Sequence, residues 1–329
     1  MKKSYLGGVL LLVPALLLTG CGGGTNTLSI SANWYRDTGL SDQISQTYEK
    51  LEYTVAFQPA ETNNEFKAEY GAGTYTAELK SERRALSDGT QELLYVLSTS
   101  FEISGKFILN GSASEQFTDT IECTTVFHNA RAQLKPVRSE KTIKSHAPNS
   151  QTPSTLESAF SSYHYSLITE YTDTLDSLKT TYTDLSKEDA EPIENEYKID
   201  VNGTYLDNEE ILFALRGLNL ASSNFFYSFN SSKRAIEPLT TGTAESEDLL
   251  VKSLSIDGGE AAETTIPCYK VALGYQSSNP GNTQTLWYAK TVNPTANTYR
   301  NVLAYMEVPV MYNLGTLCYT LKAAQFTTK

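Results

Sequence analysis

Cys21 is the residue with the clearest chemical role. It stands in Leu16-Leu17-Leu18-Thr19-Gly20-Cys21-Gly22-Gly23-Gly24, between an apolar run and three glycines. A thiolate is a nucleophile on which a thioether can be built. A glycine run is a poor place to pack a core cysteine, because glycine loses the most conformational freedom on ordering. The remaining cysteines, Cys123, Cys268 and Cys318, form an odd set with no C-x-x-C pair and no zinc spacing. Each sits in a segment that reads as a strand, where cysteine behaves as a small hydrophobe. Three buried, unpaired thiols are expected, with one disulfide plus a free thiol as the alternative in an oxidising compartment.

Other chemistry has little to stand on. His128, His146 and His164 lack a cysteine neighbour or a His-x-x-x-His partner, so no metal site is expected. A Gly-x-Ser-x-Gly nucleophile elbow is absent, as are a phosphate loop and Gly-x-Gly-x-x-Gly. Asp200-Val201-Asn202-Gly203 followed by Asp207–Glu210 has calcium-loop composition, but its glycine comes fourth rather than sixth, and a strand turn is expected instead. The sequence therefore reads as a non-enzyme without a cofactor. Phe225, Phe226, Tyr227, Trp287, Tyr288 and Tyr305 could line a hollow for an acyl chain or another apolar ligand. The competing reading for each is ordinary core, since aromatic residues dominate protein interiors.

The segment that presents Cys21 has three parts. Lys2 and Lys3 give a positive start, and Leu6–Leu18 gives an apolar run broken by Gly7, Gly8 and Pro14. That is the layout of an export signal, and it is shorter than the ~20 residues a membrane-spanning helix needs. Leu18-Thr19-Gly20-Cys21 resembles the lipobox of bacterial lipoproteins at all four places. The resemblance implies that residues 1–20 are a signal peptide, that Cys21 becomes the first mature residue, and that it carries a diacylglyceryl group and further acyl chains such as palmitate. Two or three acyl chains hold a protein on a membrane far more firmly than one. Residues 21–33 would then be a flexible tether. Gly22 is not aspartate, and either an outer membrane or the outer face of a single membrane is compatible with the motif.

Composition narrows the partners. The 329 residues carry 26 Lys plus Arg against 38 Asp plus Glu. Without the two lysines of the leader the balance is 24 − 38 = −14. Such a charge argues against nucleic acid and against docking on anionic lipid through a basic face. The 21 tyrosines and 12 phenylalanines, with abundant Thr and Ser, favour strands over helices.

Alternation carries the rest. Leu93, Tyr95, Leu97, Thr99, Phe101 and Ile103 recur with period two, and Phe117, Ile121, Cys123, Thr125 and Phe127 do so after Asn110-Gly111, with Asp119 the one exception. A long hairpin is expected there, with Gly105 marking a bend or bulge. Residues 146–155 have linker or loop composition and could divide the chain into two lobes. Residues 156–185 fit helical and strand periods alike, and their threonines tip the reading to two strands joined by a turn. Tyr197–Val201 reads as a strand. Asp207–Gly217 reads as a short helix capped by Asp207, with Glu210 three residues on. The last third reads as strands centred on Phe225–Phe229, Leu249–Ile256, Cys268–Tyr275, Thr285–Lys290, Val302–Val310 and Leu317–Lys322.

Tyr205–Leu220, Ile266-Pro267-Cys268-Tyr269-Lys270-Val271 and Leu286-Trp287-Tyr288-Ala289-Lys290 together resemble a family of exported bacterial proteins of unknown function. That family is similar in fold to the half-barrel carriers of lipoprotein sorting. The resemblance implies a curved antiparallel sheet around a hydrophobic hollow, with the helix as plug or lid, and transfers no functional residue. The fold expected for residues 34–329 is all-β and mostly antiparallel, a strongly curved sheet or open half-barrel with one short helix. The function expected is a lipid-anchored, extracytoplasmic protein of the cell envelope. It either holds a hydrophobic small molecule or lipid, or has a filled core and serves structure and protein interaction.

Overall fold

The computed structural model describes residues 28–30, 47–61, 65–85, 89, 91–128, 133–231, 233–276, 283–290 and 301–326. Cys21 and most of the expected tether lie outside these. Within it, Leu28–Ile30 is already docked: Leu28 N–H donates to Thr204 Oγ1 (2.8 Å), and Ile30 is buried in the main core.

Long alternating runs build nearly everything. The first half contains β1 (Thr47–Pro59), β2 (Phe66–Tyr70), β3 (Gly73–Ala85), β4 (Gln91–Leu109), β5 (Ser112–Ala113), β6 (Phe117–His128) and β7 (Pro136–Pro148). In β4, Leu97, Phe101, Ile103 and Phe107 are buried while Ser100 and Glu102 are exposed. In β6, Phe117, Cys123 and Phe127 are buried while Glu122 and Thr124 are exposed. The wall is thus apolar inside and polar outside, the opposite of a barrel whose outer face meets lipid. No helix among the described residues is long and apolar enough to cross a membrane.

The expected hairpin is β4 with β6, paired from Leu94–His128 to Gly105–Phe117. Asn110 (φ 51°) and Gly111 (φ 83°) turn it, both left-handed as a tight hairpin turn requires. Gly105 makes no bulge: it is paired on both sides, with Tyr70 and with Phe117, at the end of ladders that show no register shift. Glycine is needed there because Tyr70 packs onto it; an added Cβ would meet Tyr70 Cδ1 at 2.6 Å and Glu69 O at 2.9 Å.

Residues 156–185 form a single helical turn, α1 (Leu156–Ala159), then β8 (Phe160–Tyr171) and β9 (Ser177–Asp184). The strand pair is the expected one. The stretch 146–155 is not a loop throughout: His146–Pro148 are the end of β7, held by the ladder with β8 that runs from Arg138–Glu170 to Pro148–Phe160, and only residues 149–155 form the connection to α1. The remaining elements are β10 (Ile193–Lys198), α2 (Ile211–Ala214), β11 (Asn224–Asn230), β12 (Ala235–Thr241), β13 (Glu245–Ile256), β14 (Ala262–Tyr275), β15 (Gln284–Ala289), β16 (Leu303–Val310) and β17 (Gly315–Phe326). β12 went unanticipated because Pro238 interrupts its pattern. That proline sits one residue before the ladder with β14 begins at Leu239, so its missing N–H falls outside that ladder.

Ladders connect these strands into one curved wall. β10, β9, β8, β7, β6, β4, β3, β1 and β17 pair successively, and β17 continues through β16, β15, β14 and β12 to β11. β2 pairs with β4 beyond the end of the β3 ladder. β13 runs beside β14 and returns to β17 in a short parallel contact, so β13–β17 form a small ring. Such closure shields sheet edges, the usual liability of an open sheet. Between β10 and β11 the wall meets through side chains: Tyr197 and Phe229 lie 4.7 Å apart in a cluster with Leu178, Ile199 and Tyr205. The segment that follows β10 bridges this seam. Ile199 N–H donates to Asp176 O, Tyr227 N–H donates to Thr204 O, and Leu206 N–H donates to Tyr227 O.

That segment then enters the interior as a plug. Leu206, Ile211, Phe213, Ala214, Leu215 and Leu220 are all buried in the main core, and each large apolar side chain so buried contributes roughly 1.5–3 kcal/mol. The helix is shorter than the expected 207–217: α2 is one turn, run on by a 3-10 turn at Leu215–Gly217. The cap chemistry sits upstream of it. Asp207 N–H donates to Glu210 Oε1 and Glu209 N–H donates to Asp207 Oδ1, each at 2.8 Å. These bonds shape the turn that precedes the helix, and Glu210, the residue at its start, gives no side-chain cap.

Candidate ligand cavity

Between the plug and the wall lies a cavity of about 160 Å³. β2 and β3 contribute Tyr70 and Tyr75, β4 contributes Thr99, Phe101 and Ile103, and β6 contributes Asp119 and Ile121. Lys141 and Ser145–Pro148 come from β7, and Asn208, Glu209 and Leu212 come from the plug. Met306, Val308, Pro309 and Val310 of β16, Met311, and Leu317 and Tyr319 of β17 complete it. In β4 and β6 the period of two turns Thr99, Phe101, Ile103, Asp119 and Ile121 inward, whereas consecutive residues line the cavity at the ends of β7 and β16. Tyr75 meets Tyr319 edge-on at 5.7 Å, and Phe101 lies 5.9 Å from Tyr319.

Two polar pairs interrupt the apolar lining. Asp119, the exception in the β6 pattern, is buried and opposes the end of β7. Its Oδ1 accepts from the His146 backbone N–H at 2.9 Å, and His146 Nδ1 lies 2.8 Å from the same oxygen. The His146 ring stacks on Phe117 at 4.3 Å. Burial raises the Asp119 carboxyl above its ordinary value, and the bonds from His146 pull it back down. Beside this pair, Ser145 is fully buried, and among the described residues its Oγ has no partner.

The second pair is Lys141 Nζ with Glu209 Oε1 at 2.6 Å. Burial pulls the Lys141 ammonium down, but Glu209, helped by Tyr165 and Cys123, outweighs it and holds the group above its usual range. Behind Glu209 the network fixes the plug to the wall. Asp207 Oδ2 accepts from Ser139 Oγ at 2.8 Å and from the Tyr171 hydroxyl, while the Tyr275 hydroxyl donates to Asn208 Oδ1 at 2.9 Å. Burial, and then the Glu209 charge, raises Asp207. Burial, and then the Asp207 charge, raises Glu210 well above the normal carboxyl range.

The six aromatic candidates stand elsewhere, and the structure does not bring them together into one lining. Phe226 and Tyr288 are buried core residues, and the Tyr288 hydroxyl donates to Leu212 O at 2.8 Å, holding a cavity-wall residue of the plug in place. Trp287 donates through Nε1 to Glu247 (3.1 Å), lies under Lys270, and packs edge-on against Tyr305. Phe225, half-buried, packs edge-on against Tyr227. Cys123, Cys268 and Cys318 are buried and unpaired, as expected. Among the described residues no group of His, Cys, Asp and Glu could hold a metal ion.

Sequence reasoning missed the polar members of the site. Asp119 carried a signal, an acid at an inward position of an alternating strand. Asn208 and Glu209 carried none, because the first strands and the plug are distant in sequence.

No family model matches this chain. No curated protein matches it either. Among solved structures, the chain is similar to the crystal structure of a β-barrel-like protein of a domain of unknown function (DUF1849) from Brucella abortus, at 10% identity and a TM-score of 0.46, over 86% of this chain and 99% of that one.

Proposed function

We propose that this chain is a lipid-anchored, extracytoplasmic protein of the cell envelope that holds a small apolar ligand, and that it is not an enzyme. The observation that carries the binding reading is the lined cavity of about 160 Å³ between plug and wall. Its size decides what would fit. An apolar cavity of about 150 Å³ accepts one benzene ring, whereas sites for drug-sized molecules run to roughly 300–1,000 Å³. The ligand would be a single ring or a short acyl segment, not a whole diacyl lipid. The anchor rests on the lipobox-like Leu18-Thr19-Gly20-Cys21.

A second reading has an observation of its own. Most of the interior is occupied by the plug and by residues such as Tyr53, Phe213 and Tyr288, which suits a structural or protein-interaction role with function on the outer surface.

Native mass spectrometry of the mature protein, purified from its own host's envelope, separates the two. A bound mass that leaves on denaturation and extracts into organic solvent is expected. A clean apo mass with no uptake of small apolar probes would favour the interaction role. For the anchor, Cys21→Ser should release the protein from membranes, and unchanged membrane retention would sink that part.

A further inference from the structure

The apolar walls of the cavity carry two acidic groups. Asp119 and Glu209 face it with negative charge, and Lys141, already bound to Glu209, is the one lysine or arginine in the lining. Glu209 is thus matched by Lys141, whereas among the described residues Asp119 is bound only by His146. Lys144, next along β7, is exposed.

Asp119 spends only one oxygen on its neighbours. Oδ1 takes both contacts from His146, and among the described residues Oδ2 has no hydrogen-bond partner. Around it stand aromatic rings: Tyr70, which meets Phe117 edge-on at 6.0 Å, and further in Phe101 and Tyr319. A carboxylate with a spare acceptor, set among aromatic residues in an apolar hollow, is the chemistry that recognises an organic cation. A carboxylate-ended ligand such as a fatty acid would meet Asp119 as a like charge, and like-charge contacts are strongly disfavoured.

We propose that the cavity selects a small apolar ligand ending in an ammonium group, with the ammonium on Asp119 Oδ2 and the apolar body against Phe101, Met306 and Tyr319. This rests on the cavity-binding reading above and narrows it to one ligand class. Benzylamine, benzyl alcohol, toluene and benzoate share a body of the right size and differ only at the end group. They are titrated calorimetrically into the full chain carrying Cys21→Ser, and the amine is repeated with Asp119→Asn. Benzylamine should bind at least ten-fold more tightly than benzyl alcohol, benzoate should not bind measurably, and Asp119→Asn should bring the amine down to the alcohol. Toluene or the alcohol binding as well as the amine would overturn the ammonium assignment alone. If none of the four binds, the cavity reading falls with it. Asp119→Asn also touches the His146 contacts, so the ranking on the unsubstituted cavity decides if that variant fails to fold.

Discussion

Arg216, at the end of the plug, and Glu49, in β1, form a two-pronged ion pair 167 residues apart in sequence, with both side chains buried. Arg216 Nη2 donates to Glu49 Oε2 at 2.8 Å and Nη1 donates to Oε1, while the guanidinium lies 5.5 Å from the Phe213 ring. The plug is therefore bolted to the wall at one end by this pair and at the other by Asp207.

Removing one partner leaves the other charge buried alone. Glu49→Gln should lower unfolding stability by about 3 kcal/mol or more, and Arg216→Lys should also weaken the fold because one ammonium cannot make both bonds. The double replacement Glu49→Leu with Arg216→Met should cost less than either single change at the same site, since no charge is stranded. Urea denaturation of the unsubstituted protein, Glu49→Leu, Arg216→Met and the double variant checks this. Additive losses would mean that the pair does not act as a unit.

The two residues of that pair also show what could be read from the chain. Period-two alternation exposed most of the wall, because each strand buries one face and wets the other. It failed at β12, where Pro238 breaks the pattern, and it placed Gly105 in a bend when the cause was the Tyr70 ring on a neighbouring strand. The plug helix was legible through Asp207 and Glu210, although their bonds shape the preceding turn. The cavity was not. Its lining is gathered from seven strands and the plug, so no local spacing announces it, and the aromatic candidates chosen for bulk serve packing instead.

Gly105 and Tyr70 give a test of that packing. A methyl at position 105 would run into the Tyr70 ring and the Glu69 carbonyl. Gly105→Ala should destabilise by about 1–3 kcal/mol through overpacking, although alanine is ordinarily the better residue in a regular element. In a Tyr70→Leu background the penalty should shrink. Thermal unfolding of the two single variants and the double variant measures the coupling, and an equal penalty in both backgrounds would rule out the ring as its cause.

The three buried thiols should be chemically silent in the native protein. Burial pushes Cys268 up to about 12 and raises Cys123 and Cys318 as well. At pH 8 a thiol of that value is ionised to only about one part in ten thousand, and the thiolate is the reactive form. Iodoacetamide should add nothing to these positions under native conditions and should modify all three in urea, as read by peptide mass spectrometry. Native modification of Cys268 would show that the ring formed by β13–β17 opens readily.

Glu210 should give the fold an unusual pH dependence. Its carboxyl is fully buried, Oε1 accepts from Asp207 N–H, and among the described residues Oε2 has no partner. Burial, with the Asp207 charge, raises it well above its ordinary value of 4.5. Between that value and the raised one the folded chain keeps a proton that the unfolded chain has lost. Stability then falls as pH rises through that window, by up to about 1.4 kcal/mol per pH unit for a whole proton. Asp207, also raised, adds to the same trend, whereas carboxylates held low by lysines, such as Glu52 and Glu247, act in the opposite direction at lower pH. The difference between the unsubstituted protein and Glu210→Gln isolates the residue. Glutamine keeps the acceptor for Asp207 N–H and cannot ionise, so the variant should gain stability relative to the unsubstituted protein as pH is raised from 5 to 8, in urea midpoints measured across that range. Parallel curves for the two proteins would mean that Glu210 ionises in the folded state much as it does in the unfolded chain, and that the plug tolerates its charge.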